Sequence, residues 1–137
     1  MELKFDFLST YWPFYVEGLK ITIIFSIFAV IFGIILGIAL ALMKLSKLRV
    51  LRGVAVSYIN FVRGTPILVQ IYIVYFGLFS FGINLSDSTA GIAALAINSG
   101  AYVAEIVRAG IESVDKGQIE AARSLGLSHA ATTRLLV

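Results

Sequence analysis

The chain has 137 residues, of which 59% are hydrophobic and 14% are charged, whereas a soluble domain carries about 25% charged residues. Together with a mean hydropathy of +0.95, this composition excludes an ordinary soluble protein and indicates a membrane protein. The sequence has no cysteine and a single histidine, which excludes disulfides, thiolate chemistry and metal sites built from cysteine or several imidazoles. The net charge of +3 is concentrated in one segment, which favours a topology signal over nucleic-acid binding.

The first long apolar run predicts a membrane span at about residues 19–43. Ile21–Met43 contains 23 residues and no charge, and a helix of that length covers about 35 Å, enough to cross a hydrocarbon core of about 30 Å. Gly33 and Gly37 are four residues apart, which either lets a neighbouring helix approach closely or reflects the frequency of glycine in membrane helices. An aromatic belt at the outer interface is predicted from the residues before the span: Tyr11, Trp12, Phe14 and Tyr15.

A basic, amphipathic segment follows the first span. It holds five of the eleven basic residues and no acid: Lys44, Lys47, Arg49, Arg52 and Arg63. Because loops rich in Lys and Arg stay on the cytoplasmic side, this loop is predicted to be cytoplasmic and the N-terminus to lie outside. Apolar residues recur at steps of three and four: Leu48, Leu51, Ala55, Tyr58 and Val62. The spacing predicts an amphipathic helix that lies on the inner surface, where its cations attract anionic headgroups, or leads into the next span.

Two further uncharged runs predict spans at about residues 64–85 and 88–108. The run Gly64–Ser86 has 23 residues, and a cluster of turn-forming residues closes it. The run Ser88–Ala104 has 17 residues, which is short for a span, but the helix can continue through Glu105 and give the span a polar inner end. The chain therefore crosses the bilayer about three times, and everything after the third span is predicted to be cytosolic.

Polar residues near these spans have both structural and functional interpretations. Pro66 removes a helical hydrogen bond and is expected to kink or begin the second span. Arg63 is expected to snorkel to the inner interface or to pair with an acid. Asn98, Tyr102 and Glu105 share one helix face, which makes them candidates for a translocation pathway, with interhelical hydrogen bonding as the alternative. Ion pairs at helical spacing are expected among Glu105, Arg108 and Glu112.

The tail from about residue 109 to residue 137 mixes acids and bases with small residues, which is typical of a structured segment outside the membrane. A short helix is predicted after Gly117, ending at Gly126 in the left-handed conformation. Ser128 is placed to cap a second helix that begins at about His129. The small residues of the first helix suit an element that docks in a groove on a partner, and an ordinary helix corner packed on its own protein is the alternative.

Three segments carry a resemblance to a known family. Phe61–Gln70 and Asn98–Ile106 are followed by an EAA segment: Glu120, Ala121, Ala122 and, after Arg123, Gly126. In this order they resemble the permease subunits of bacterial ABC importers for polar amino acids, of the histidine, arginine and glutamine type. The resemblance implies that the EAA residues couple the permease to an ATPase. It also implies a structural motif formed by Arg63, Gly64, Thr65 and Pro66.

The resemblance further implies an all-α integral membrane protein, with about three transmembrane helices and a cytosolic helix-turn-helix EAA loop. This chain would form part of a larger type I ABC importer transmembrane domain. In the family the EAA loop leads into further spans, so the chain, which stops at Val137, is expected to be partial.

The implied partners are a second permease subunit, identical or different, two ABC ATPases that bind ATP and Mg, and an extracytoplasmic amino acid binding protein. The implied location is the bacterial cytoplasmic membrane. The sequence contains no phosphate loop, catalytic triad or paired carboxylates, so ATP hydrolysis is assigned to a separate chain. Two alternatives stay open at this point: a membrane anchor or assembly protein, and a secondary transporter or channel.

Overall fold

A computed structural model describes residues 6–136. Within that range every regular element is a helix, which confirms the predicted all-α fold. In chain order the elements are α1 (Asp6–Leu45), α2 (Arg49–Gly64), α3 (Ile67–Tyr72), a π-helical turn (Ile73–Gly77), α4 (Leu78–Ser80), α5 (Asp87–Glu112), α6 (Lys116–Ser124) and α7 (His129–Leu136).

Two helices are long and apolar enough to cross a membrane. They are Ser9–Leu45 within α1 and Asp87–Glu112, which is α5. A third span is formed only if α2 and the helical segment 67–80 count as one, because the two are bent by 111° at their junction. Alone, segment 67–80 rises about 21 Å, less than the hydrocarbon core of about 30 Å. Membrane crossing at residues 64–85 therefore stays a prediction.

The main packing contact joins α1 and α5, and small residues make it close. A Cβ atom built on Gly33 would lie 2.7 Å from Ser99 Cβ, and one on Gly37 would lie 2.6 Å from Val103 Cβ. Ala101 and Ala104 of α5 are fully buried. The predicted close approach of a neighbouring helix is therefore confirmed, and α5 is the helix that approaches.

The break between α2 and α3 lies at Thr65 and Pro66. The backbone of both residues is extended, and α3 begins at the residue after the proline. This confirms that Pro66 begins a helix. On its inner face α2 buries Ala55 and Ile59 in a small core against α1 and α5. The predicted amphipathic helix is thus present, although Leu48, which was assigned to its apolar face, is 64% exposed.

The tail forms the predicted helix, glycine turn and helix. The first helix begins at Lys116, slightly earlier than expected, because the Asp115 side chain caps it by accepting a hydrogen bond of 2.7 Å from the backbone N–H of Gly117. Gly126 has a φ of +85°. Ser128 Oγ accepts a hydrogen bond of 3.2 Å from the backbone N–H of Ala131 in α7, which confirms the predicted cap.

Candidate coupling segment and helix-joining polar network

The candidate coupling segment, Lys116–Ser128, ends its helix in a complete Schellman turn. The N–H of Leu127 donates to the carbonyl of Ala122 at 3.2 Å, and the N–H of Gly126 donates to that of Arg123 at 3.0 Å. These two bonds satisfy carbonyls that the helix end leaves free, and they require the left-handed backbone that glycine adopts without strain. The turn therefore fixes the direction in which α7 leaves α6, and the two helices pack on each other.

The residues of the EAA segment lie at the surface. Glu120, Ala121 and Gly126 are exposed, and Ala122 is half-buried. Leu125, which the sequence analysis did not single out, is 83% exposed at the end of α6. A large apolar side chain in the most exposed part of a polar helix corner is a feature of docking surfaces. Its sequence signal is its position directly before the glycine that ends the helix.

A charge cluster ties α1, α2 and α5 together near the end of α5 that leads to this segment. The central acid of the cluster is Glu105 of α5, whose side chain is 17% exposed. One carboxylate oxygen accepts a hydrogen bond from Lys44 Nζ, at the end of α1. The other accepts bonds of 3.0 and 3.1 Å from Arg108 and lies 4.0 Å from Arg63 Nη1, at the end of α2.

The cluster bears on two predictions made from the sequence. Arg63 has an acid within ion-pair distance, as one of the two predictions required, and its guanidinium also lies 5.3 Å from the ring centroid of Tyr102. The expected helical ion pairs are present, because Arg108 bridges Glu105 and Glu112. The role of Lys44 was missed, since it lies 61 residues from Glu105 along the chain.

A second polar contact holds the α2–α3 break against α5. Gln70 is 5% exposed, and its amide nitrogen lies 2.7 Å from the carbonyl oxygen of Val62 and 3.0 Å from that of Thr65. Its amide oxygen accepts a hydrogen bond of 3.2 Å from Asn98 Nδ2. Gln70 thereby satisfies carbonyls near the helix break that Pro66 forces and links the break to α5.

Gln70 is the last residue of the segment Phe61–Gln70 that carries the family resemblance, but no role was predicted for it from the sequence. Its signal is its position four residues after Pro66, where a side-chain donor on α3 can reach back to the end of α2. Within the same motif, Gly64 and Pro66 are exposed and Thr65 bonds back to α2 through its hydroxyl, 3.0 Å from the carbonyl oxygen of Phe61.

The three residues of the predicted translocation face have different surroundings. Asn98 makes the interhelical bond to Gln70, Tyr102 is 47% exposed beneath Arg63, and Glu105 holds the charge cluster. Their assignment to a translocation pathway stays a prediction. In the described part of the chain no group of three or more histidine, cysteine, aspartate or glutamate side chains could hold a metal ion.

Comparison with known proteins gives a consistent result. Residues 29–137 match the family described as the binding-protein-dependent transport system inner membrane component. The chain is 44% identical over 137 residues to a Rickettsia conorii protein that bears the name "Putative glutamine transport system permease protein", covering 97% of this chain and 63% of that one. It is 45% identical over 130 residues to the arginine transport system permease of Bacillus subtilis, covering 94% of this chain and 59% of that one.

A solved structure is also similar. It is titled as the crystal structure of an amino acid ABC transporter with histidines, and it matches with a TM-score of 0.89 and 49% identity over the whole of this chain and 64% of its own. The chain thus spans about three fifths of the length of the curated relatives that it matches. With a family match over residues 29–137 and these relatives, the chain belongs to the family of inner membrane components of binding-protein-dependent transport systems.

Proposed function

We propose that this chain is the membrane-spanning permease part of an ATP-driven importer that moves polar amino acids by alternating access. The observation that carries the proposal is the Schellman turn at Gly126, which presents the EAA residues on an exposed helix corner. Three residues join this corner to α5. The names of the relatives, which are glutamine and arginine transport permeases, support a polar amino acid as the cargo.

The exposed corner supports ATPase coupling in particular. Glu120, Ala121, Ala122 and Gly126 form the contact surface for an ABC ATPase, and Leu125 adds an apolar anchor to it. ATP and Mg bind to that separate subunit, so this chain is not an enzyme by itself. The charge cluster at Glu105 makes the connection stiff, because it fastens the end of α5 to both α1 and α2 near the point where the ATPase acts.

The remaining parts of the proposal follow from topology. The basic loop after α1 supports an orientation with the N-terminus outside and the coupling segment in the cytosol of a bacterial cell. A second permease subunit, two ATPases and an extracytoplasmic binding protein complete the transporter. The face of α5 that carries Asn98 and Tyr102 lines the path of the amino acid.

Two glycines provide a matched test of coupling. Gly126 and Gly82 both have a left-handed backbone, with φ of +85° and +79°, and both donate a hydrogen bond to the carbonyl three residues earlier. Proline abolishes both features at either position. Gly82 lies between α4 and α5, away from the coupling segment.

The test compares Gly126→Pro with Gly82→Pro in the complete transporter, reconstituted in proteoliposomes. Amino acid uptake and ATP hydrolysis are measured together. Gly126→Pro should insert in the membrane and leave ATP hydrolysis without uptake, whereas Gly82→Pro should keep the ratio of uptake to hydrolysis. Normal uptake by Gly126→Pro would refute the coupling role, and wild-type uptake that continues without ATP would instead favour a secondary transporter or channel.

A further inference from the structure

Three basic residues at or just before the start of α2 have no acidic partner in the described part of the chain. Lys47, Arg49 and Arg52 are exposed, and in residues 6–136 the structure gives none of them an ion pair. The sequence holds no acid between Lys44 and Arg63. Those two flanking cations turn towards Glu105. The other three are here called the basic face of α2, although Lys47 lies two residues before the helix, and within residues 6–136 no acid neutralises them.

The position of these charges is unfavourable for an isolated helix. Arg49 and Arg52 lie in the first turn of α2, where the partial positive charge of the helix dipole repels cations. The N-cap residue is Leu48, whose side chain makes no capping bond, and the first turn has no acid. An external anion would stabilise this end of the helix and its cations together.

An exposed apolar stripe lies on the other side of the same helix. Val50, Val54 and Phe61 are 77%, 55% and 62% exposed. With 3.6 residues per turn, this stripe is centred about 150° around the helix axis from Arg49 and Arg52. A third side, with Ala55 and Ile59, packs on α1 and α5. Apart from that packed side, α2 has one charged side and one apolar side.

We propose that α2 lies in the inner interface of the membrane, with its basic face bound to the headgroups of anionic phospholipids and its apolar stripe on their acyl chains. The position in the chain supports this occupant, because α2 begins four residues after α1 ends. The bend of 111° then turns it away from the direction of segment 67–80. An acidic protein surface would explain the cations alone, whereas a lipid leaflet complements both the charged and the apolar side of the helix.

These 137 residues contain no cysteine, so a thiol label introduced here has no competing site within them. Val54→Cys in the full permease carries a fluorophore on the apolar stripe, in liposomes of three parts phosphatidylcholine to one part phosphatidylglycerol. Nitroxide-labelled phosphatidylglycerol should quench the fluorophore more strongly than nitroxide-labelled phosphatidylcholine. Substituting Lys47, Arg49 and Arg52 by glutamine should abolish this preference. Each charge removed should lower the affinity for phosphatidylglycerol relative to phosphatidylcholine by up to about fivefold. Salt should weaken it in the parent protein.

Two variants control for charge and for folding. Lys20→Gln removes an exposed charge from the other end of α1 and should leave the preference unchanged. Arg49→Lys with Arg52→Lys keeps the charge and should retain it. The proposal would be overturned if the two nitroxide lipids quenched the fluorophore of the parent protein equally. It would also be overturned if aqueous iodide, and not the lipid nitroxides, quenched the fluorophore. Neither result would affect the proposed transport function, which is measured separately.

Discussion

The charge cluster predicts that Glu105 is far more important for stability than its neighbour Glu112. Glu105→Gln removes the one carboxylate that accepts hydrogen bonds from both Lys44 and Arg108, with Arg63 at 4.0 Å. Hydrogen bonds to charged groups contribute about 1.5–3 kcal/mol each, and partial exposure reduces the value. We therefore expect Glu105→Gln to lower the free energy of unfolding by about 2 kcal/mol.

Glu112→Gln is the matched control for this prediction. It is the same chemical change on the same helix, but Glu112 is 52% exposed, and within the described residues its one ion pair is with Arg108. Exposed ion pairs contribute little, so its effect should be less than about a third of that of Glu105→Gln. Unfolding in mixed micelles with increasing dodecyl sulfate measures both variants.

A double-mutant cycle isolates the bond between α1 and α5. Lys44→Gln and Glu105→Gln are measured singly and together, and residues in contact should give a coupling energy of at least about 0.5 kcal/mol. Equal losses for Glu105→Gln and Glu112→Gln, or additive effects of the Lys44 and Glu105 changes, would refute the view that Glu105 joins the helices.

Three further predictions test other contacts. Gly37→Val should separate α1 from α5, because a Cβ at this position already lies 2.6 Å from Val103 Cβ, and should reduce the yield of folded protein in size-exclusion chromatography. Gln70→Glu should impair uptake more than Gln70→Ala, because a carboxylate would face the carbonyl oxygens of Val62 and Thr65 that the amide now serves; comparable uptake in the two would contradict this. Leu125→Asp should leave the unfolding midpoint unchanged, because the side chain is 83% exposed, but should weaken co-purification of the ATPase, whereas Leu125→Met should preserve it.

Local features of the fold could be predicted from the sequence because their causes are local. The turn at Gly126 and the cap at Ser128 depend on residues within a few positions of each other. The helix start after Pro66 follows from the missing N–H of proline. The same is true of the ion pairs around Arg108, which depend only on helical spacing.

The features that could not be predicted depend on how α1 and α5 are aligned. Lys44 can bond to Glu105 only if α1 and α5 are aligned as the contacts of Gly33 and Gly37 align them. The spacing of residues along one helix gives no information about that alignment. The link from Gln70 to Asn98 likewise depends on where the bent segment meets α5. Glu105 was therefore grouped with a polar face by spacing alone, although its contacts belong to the charge cluster.

The positions of these contacts suggest how motion at the coupling segment would reach the membrane. Only residues 113–115 separate α5 from α6, and Asp115 caps the new helix. A displacement of α6 would therefore reach the end of α5 through a connection of three residues. About two turns further into α5, Glu105 joins it to α1 and α2, so these helix ends should move with α5 as one unit. Two turns beyond, the bond between Asn98 and Gln70 links α5 to the α2–α3 break, so the same movement would extend along the candidate pathway from Glu105 to Asn98.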